Sequence, residues 1–284
     1  MGLGGHLTWT AVARELVQKS QVNNLKILPV EASGNNIIKV IQSEIFSNNP
    51  YFTTDINYEP KFVLPMNLSE TNYCLSDTPE RAYHRYDKHI IEQICEYYGV
   101  NTPQLKCELY FTEEEEKKTL NILKQNEVSS NFVVLEPQTK DSYTINKSYP
   151  FYKWQNIVDK LVEKNICVVQ VGQKTSAKNL KGVINLTGKT NFREASVIVS
   201  KSKLLIAAEG GLMHAANAVG TKSIIVYTGF IHPKMTAYEN NLNLWIGEGH
   251  GPCGMKSLCQ KCEQDATAHN ENKIIDLILG ELCE

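Results

Sequence analysis

The residues with the clearest capacity for chemistry lie in Glu209-Gly210-Gly211-Leu-Met-His214. An apolar run, Leu204–Ala208, reads as a strand buried on both faces, the two glycines as a turn, and 212–219 as a helix of small residues. Gly220 stands where a left-handed helix C-cap is wanted, and Ser223–Tyr227 reads as the next buried strand. This order leaves a carboxylate, bare backbone amides and a helix N-terminus at the carboxyl edge of a parallel sheet, where such sheets bind anionic ligands. A second constellation is Cys253-x5-Cys259-x2-Cys262, whose spacing suits three ligands of a tetrahedral Zn or Fe of structural purpose. Cys283, His250 or His269 would complete it, and a set of reduced thiols in a compact loop is the other reading. Cys74, Cys95, Cys107 and Cys167 are scattered and read as structural thiols.

The elements that must position these groups alternate regularly in the second half. Residues 132–135 read as a strand, 136–150 as a polar loop, and 151–163 as a helix with Pro150 at its start. A strand over 166–171 ends at Gly172, a short strand follows at 183–186, and a helix over 192–200 leads back to the Glu209 strand. That alternation implies a parallel, doubly wound sheet. In the first half, 7–19 reads as a helix opened by glycines, 25–30 and 37–41 as strands, and 87–98 as an amphipathic helix closed by Gly99. Thr112 followed by Glu113-Glu-Glu-Glu116 reads as a capped helix start whose acidic run is a solvated face. Residues 124–131 read as the linker between an N-terminal lobe, 1–128, and a C-terminal lobe, 129–284. The first glycine turn begins at Gly2, so either a first strand is missing or the sheet is built without it. Its neighbour would then be an unpaired edge able to seek a partner chain.

Composition bounds the class. The chain has 284 residues, 42% hydrophobic and 21% charged, with a formal net charge of −2. That fits two globular domains and gives no case for nucleic-acid binding. No signal-peptide apolar region is visible, since His6, Arg14 and Glu15 interrupt the N-terminus. No run approaches the roughly 18 apolar residues of a membrane-spanning helix. A soluble, cytoplasmic protein is the expectation, with peripheral contact to a membrane surface left open.

Glu209-Gly-Gly-Leu-Met-His214, followed by Ala-Ala-Asn-Ala-Val-Gly220, resembles the Asp-Thr-Gly-x-x-His segment of the family 9, heptosyltransferase-like glycosyltransferases. Lys147-Ser-Tyr-Pro150 followed by Trp154 is similar to that family's Lys-x-Trp-Pro segment, and Gly2-Leu-Gly-Gly-His6 to its N-terminal Gly-Asp turn. Pro252-Cys-Gly254 with Cys259 and Cys262 resembles its cysteine-bearing C-terminal segment, which in some members holds iron.

The resemblance implies a GT-B architecture, α/β with two Rossmann-like lobes facing a central cleft, the acceptor lobe first and the donor lobe second. It implies inverting transfer of a sugar from a nucleotide-diphosphate donor to a hydroxyl of a glycan, lipid-linked or protein acceptor, with no cofactor required for catalysis. ADP-heptose as donor, in lipopolysaccharide or capsule biosynthesis, is the family expectation. The chain contains no Asp-x-Asp, so Lys147 and the Gly210 and Gly211 amides are expected to hold the diphosphate in place of a metal clamp. Ser142 and Thr144 would add hydroxyl contacts, Glu209 would hold sugar hydroxyls, and His214 would bond the donor or serve structurally. Gly172 lies at the donor-side strand end. Lys174 stands near the place of the family's acidic ribose-binding residue, which leaves the nucleoside open. His6 replaces the family's Asp as general base, with Gly5 and Thr10 beside it on the acceptor side. A nucleotide-sugar epimerase or hydrolase on the same fold, and a catalytically silent sugar-nucleotide-binding protein, are the competing readings.

Overall fold

The computed structural model describes residues 2–71, 74–78, 81–84, 88–138, 143–173 and 179–283. Helix α1 (Leu3–Lys19) opens the chain, and Gly4, Gly5 and His6 already belong to its first turns rather than to a preceding loop. Strand β1 (Lys26–Ser33) turns back antiparallel into β2 (Asn36–Val40) and pairs in parallel with β3 (Lys61–Pro65) on its other side. Between β2 and β3 the chain returns to β1, where the Ile27 carbonyl accepts from Thr53 N at 2.9 Å. β2 is the outer strand, with Ile38 63% exposed. A small hairpin, β4 (Cys74–Thr78) and β5 (Arg81–His84), precedes α2 (Ile90–Tyr97). α2 opens on a His89 and Glu92 capping box, and Gly99 at φ +75° closes it.

Helix α3 (Glu113–Gln125) starts with Thr112 and Glu115 capping one another. Glu113 and Glu114 of its acidic run are the solvated face expected, while Glu115 and Glu116 are paired. Arg193 Nε lies 2.5 Å from Glu115 Oε1, Lys118 is paired with Glu194, and Lys201 lies 3.3 Å from Glu116. The complementary charges sit on a helix some eighty residues later, where local pattern could not show them.

The second half is one six-stranded parallel sheet. It comprises β6 (Phe132–Glu136), β7 (Cys167–Gln170), β8 (Ile184–Asn185), β9 (Leu204–Ala208), β10 (Ser223–Tyr227) and β11 (Asn241–Trp245). The spatial order is β11-β10-β9-β6-β7-β8, the doubly wound arrangement in which succession reverses between β6 and β9. Alternate side chains of each strand feed opposite layers. Val133, Leu135, Leu204 and Ile206 pack on α4 (Phe151–Glu163) and α8 (Asn272–Cys283), whereas Val134, Leu205 and Ala207 pack on α5 (Phe192–Lys201) and α6 (Gly211–Val219). α7 (Gln260–Ala268) lies between β11 and α8 in the chain. The apolar layer under α5 and α6 continues without a break into Leu7, Trp9, Ile27 and Ile91, so both halves share one core. Among the described residues, no helix is long and apolar enough to cross a membrane.

Candidate functional site

Strand order reverses at the carboxyl ends of β6 and β9, where sheets of this kind bind ligands, and two motif residues meet there. Lys147 Nζ is ion-paired with Glu209 Oε2. The ammonium also lies 5.4 Å from the Phe230 ring centroid and 5.7 Å from that of Tyr143, an aromatic wall that favours a cation. Glu209 is aimed by its backbone: its N–H donates to Val226 O at 3.1 Å, extending the sheet one residue past β9. Gly210 then starts α6 with no side-chain cap, leaving the first-turn amides unclaimed by side chains.

α1 brings a second uncapped N-terminus to the same place. A Cβ on Gly4 would fall 3.1 Å from the Gly211 Cα and 3.1 Å from His214 Cδ2, so the close approach of the two helix starts relies on the bare Gly4. Two positive helix ends and one lysine thus converge beside one carboxylate. His6 lies about 200° around α1 from Gly4 and faces the other way, toward the N-terminal sheet. Its Nδ1 is 2.8 Å from Ser43 Oγ and its ring lies 5.4 Å from Phe46. Burial lowers its pKa below the usual 6.5, which keeps the imidazole neutral near pH 7.

Several expected site hydroxyls are committed elsewhere. Thr10 Oγ1 donates to Leu7 O at 2.6 Å and accepts from Glu108 N at 2.9 Å, fully buried, so it binds the connecting segment and not the cleft. Gly5 O accepts from Thr8 Oγ1 inside α1. Thr144 Oγ1 donates to Met255 O at 2.9 Å and caps the 3-10 turn that carries Lys147. Its partner, a backbone carbonyl over one hundred residues away, is invisible to sequence reading. His214 is buried, with its Nδ1 engaged inside the protein. The Tyr238 hydroxyl bridges its Nδ1, at 2.6 Å, and Cys107 Sγ, at 3.1 Å. Burial, reinforced by the Lys147 charge, pushes His214 down to about 3. Gly172, at φ +140°, follows β7 beside Gln138. Ser142 and Lys174 lie outside the described residues.

The cysteines gather, with one exception. The ligand atoms of His250, Cys259 and Cys262 all lie within 4.8 Å of one another, and Cys253 Sγ is 3.4 Å from Cys262 Sγ. A hydrogen bond from Cys262 lowers the Cys253 thiol below the usual thiol range. Asp265 Oδ2 sits 2.7 Å from His250 Nδ1 and orients the ring with Nε2 toward the sulfurs, the carboxylate–histidine arrangement of metal sites. Gly229 makes the room, since a Cβ there would lie 2.6 Å from Cys262 Sγ. Cys283 is corrected as the fourth ligand. It ends α8 beside Phe132 and Ile166, at the amino end of the sheet, whereas the cluster lies beyond the carboxyl end of β10. His269 is likewise engaged elsewhere, 2.9 Å from the Tyr149 hydroxyl.

Sequence reading missed three participants. Asn146 ties the lysine turn to the cysteine loop: its Nδ2 donates to Met255 O and Ser257 O, each at 2.7 Å, and its Oδ1 accepts from Cys259 N at 2.8 Å. Its place beside Lys147 in the matched segment was the available signal. Asp265 follows Cys262 by three positions on α7, a helical spacing that sequence could have offered. Glu136 ends β6 on the face shared with Ala207, and it has no polar partner among the described residues. Burial pushes its carboxyl up to about 8.

A family model for glycosyltransferase family 9 (heptosyltransferase) matches residues 80–262. The chain belongs to glycosyltransferase family 9. Among solved structures it is similar to the ADP-heptose LPS heptosyltransferase II of E. coli, at 18% identity and TM-score 0.53 over 69% of this chain and 62% of that one. It is similar to a family 9 glycosyl transferase of Veillonella parvula, at 13% identity and TM-score 0.59 over 96% of this chain and 77% of that one. It is also similar to TibC, an iron-containing dodecameric glycosyltransferase of enterotoxigenic E. coli, at 12% identity and TM-score 0.61 over 99% of this chain and 73% of that one. The chain thus spans less than two thirds of the heptosyltransferase II chain. No curated protein matches. These likenesses agree with the GT-B fold expected from the family 9 motifs.

Proposed function

We propose that this family 9 member is an inverting glycosyltransferase that moves a sugar from a nucleoside diphosphate to an acceptor hydroxyl. The observation that carries the reading is the Lys147–Glu209 pair at the junction of two uncapped helix N-termini. An arriving diphosphate takes over the lysine and the amides, and the released Glu209 carboxylate accepts hydrogen bonds from sugar hydroxyls. Those groups then stabilise the negative charge that grows on the departing phosphate oxygen.

On the acceptor side, a neutral His6 that donates Nδ1–H to Ser43 Oγ presents a free lone pair at Nε2. Because His6 stands on the far side of α1 from the donor groups, the acceptor must reach past the α1 N-terminus; Nε2 then takes the acceptor proton as the acceptor oxygen bonds the anomeric carbon and the carbon–oxygen bond to the diphosphate breaks. Attack opposite the leaving group inverts the centre. The family and its structural relatives favour ADP-heptose as donor, in lipopolysaccharide or capsule assembly in the cytoplasm. The outer strand β2, with Ile38 exposed, is the edge where a second copy would pair.

His250 Nε2 and the sulfurs of Cys259 and Cys262 would hold one Zn or Fe, with Cys253, whose sulfur lies 3.4 Å from that of Cys262, as the fourth donor. Such an ion supplies a cross-link and no step of the transfer. Asn146 passes that order to the turn bearing Lys147.

Calorimetry with ADP-, GDP- and UDP-sugars, followed by donor consumption with and without acceptor saccharides, tests the reading. The expected result is one preferred nucleotide sugar, consumed only when an acceptor is present. Consumption without acceptor would make the protein a hydrolase or epimerase, and binding with no turnover under any condition would make it a silent binder.

A further inference from the structure

We propose that Cys253 and Cys262 are an oxidation site, joined by hydrogen peroxide into a disulfide that fastens the loop holding the Lys147 turn. The two sulfurs are in contact, Cys262 Sγ donating to Cys253 Sγ at 3.4 Å. Both backbones are held where they stand. Cys253 N donates to Gly229 O at 2.7 Å and Gly254 N to Phe230 O at 3.2 Å, while Cys262 lies in the first turn of α7. A disulfide needs a sulfur separation of about 2.05 Å, which leaves roughly 1.4 Å to close.

Access selects the first sulfur to react. Cys253 is half-buried, whereas Cys259 and Cys262 are buried, so an oxidant from solvent meets Cys253 first. Burial pushes the Cys95 and Cys107 thiols up to about 12, which leaves them unreactive. The Cys253 sulfur attacks one peroxide oxygen, the O–O bond breaks, and one water leaves. The Cys262 sulfur then attacks the sulfenic sulfur so formed, the S–O bond breaks, and a second water leaves. The two thiols give up two electrons and two protons, and the peroxide is reduced to two waters.

The loop closed by this bond carries the partners of the Asn146 side chain. Met255 O and Ser257 O accept from its Nδ2, each at 2.7 Å, and Cys259 N donates to its Oδ1 at 2.8 Å. Met255 O also accepts from Thr144 Oγ1 at 2.9 Å. The turn bearing Lys147 therefore rests on the segment between the two cysteines. Reduced and without an ion, that segment is held by hydrogen bonds and packing; oxidised, it becomes a covalent ring. The bond thus stands in for a metal cross-link, and it needs no part of the transfer reading.

Peptide mapping tests the site. Trypsin cuts after Lys256 and Lys261, which puts Cys253, Cys259 and Cys262 on separate peptides. The full chain is stripped with EDTA, exposed to hydrogen peroxide, unfolded, alkylated and digested, and the peptides are read by mass spectrometry. The Cys253 peptide should be linked to the Cys262 peptide, with Cys259, Cys95 and Cys107 alkylated and the link lost in dithiothreitol. The bond should raise the melting temperature of the stripped protein by about 3–10 °C. Cys253→Ser and Cys262→Ser should each lose the link and the rise, and Cys283→Ser neither; if a serine variant fails to fold, the map of the parent chain decides. Zinc added before the peroxide should suppress the link. A link that forms equally with zinc present keeps this inference and removes the ion from the cluster. A link through Cys259, sulfenic or sulfinic acid at Cys253 with no link, or no loss of thiols overturns the site. A link without a rise in melting temperature overturns its role as a cross-link.

Discussion

The two halves of this molecule reach a functional surface by different routes. In the C-terminal half the route is topology: strand order reverses between β6 and β9, Glu209 extends a strand, Gly210 starts a helix, and Lys147 reaches them from a 3-10 turn. In the N-terminal half it is a loop, anchored at both ends on β1 and carrying polar side chains with no strand pattern behind them. A site built from strand ends needs few residues and keeps them through changes of loop, so it suits the chemistry common to all donors. A loop can change its side chains without disturbing the sheet, which leaves the proposed acceptor side free to vary.

The comparison can be broken most directly at His6. If the loop side acts only when the acceptor attacks, His6→Ala should lower transfer by about 10²–10⁴-fold with nucleotide-sugar affinity unchanged by calorimetry. The acidic limb of the pH–rate profile should lie below 6.5, because burial lowers this imidazole. His6→Asp should move the limb lower still and return part of the rate. Parent-rate transfer by His6→Ala would remove the residue from the acceptor side.

Lys147→Ala probes the opposite half. Loss of one charge-assisted phosphate contact should weaken nucleotide-sugar binding by about 1.5–3 kcal/mol, a factor of about 10–150. Unchanged affinity would take Lys147 out of the donor site, and a loss of rate alone would erase the division of labour.

Glu136 sharpens the donor side by titration. Folded, its carboxyl keeps its proton to about 8, whereas an ordinary glutamate loses it near 4.5. Between those values the folded state binds more protons than the unfolded one, so stability falls as pH rises from about 4.5 to about 8 and is level beyond. Glu136→Gln should remove that slope and raise the melting temperature at pH 8 relative to the parent, with little change at pH 4.5. The same slope in both proteins would place the titration elsewhere.

The smallest expected effect belongs to the seam. Burial pushes His89 down to about 4, so between about 6.5 and 4 the unfolded state binds more protons and stability falls as pH drops. His89→Asn keeps an N-cap acceptor for α2 and should flatten part of that decline in melts from pH 7 to pH 4, His214 supplying the remainder. A decline of undiminished size would show that His89 already carries a proton when folded.

What was legible in the chain follows the same division. Leu204–Ala208, Gly220 and Ser223–Tyr227 matched residue for residue, because buried parallel strands and a left-handed cap are local signals. β3 went unread: it carries Lys61, a Pro at its end and an outward Phe62, and it exists because β1 lies beside it. β11 went unread because its Asn-Leu-Asn-Leu alternation marks an edge strand with one wet face, and the buried runs beside it drew the attention. In the site, Lys147 and Glu209 could be named but not their pairing. Thiol spacing named three ligands, while His250 as the fourth depends on how the chain folds back past Gly229.

The hydroxyl of Tyr238 between His214 and Cys107 also sets an order in time. The amide of Cys107 is satisfied by Asn217 Oδ1, at 2.7 Å, and its thiol by a residue 131 positions onward. Arg193 likewise supplies the donors for the carbonyls of Glu44 and Tyr110. As the chain leaves the ribosome, the segment joining the halves thus holds buried polar groups whose partners have not been made. The segment joining the halves therefore completes its buried hydrogen bonds only once the second half has been synthesised.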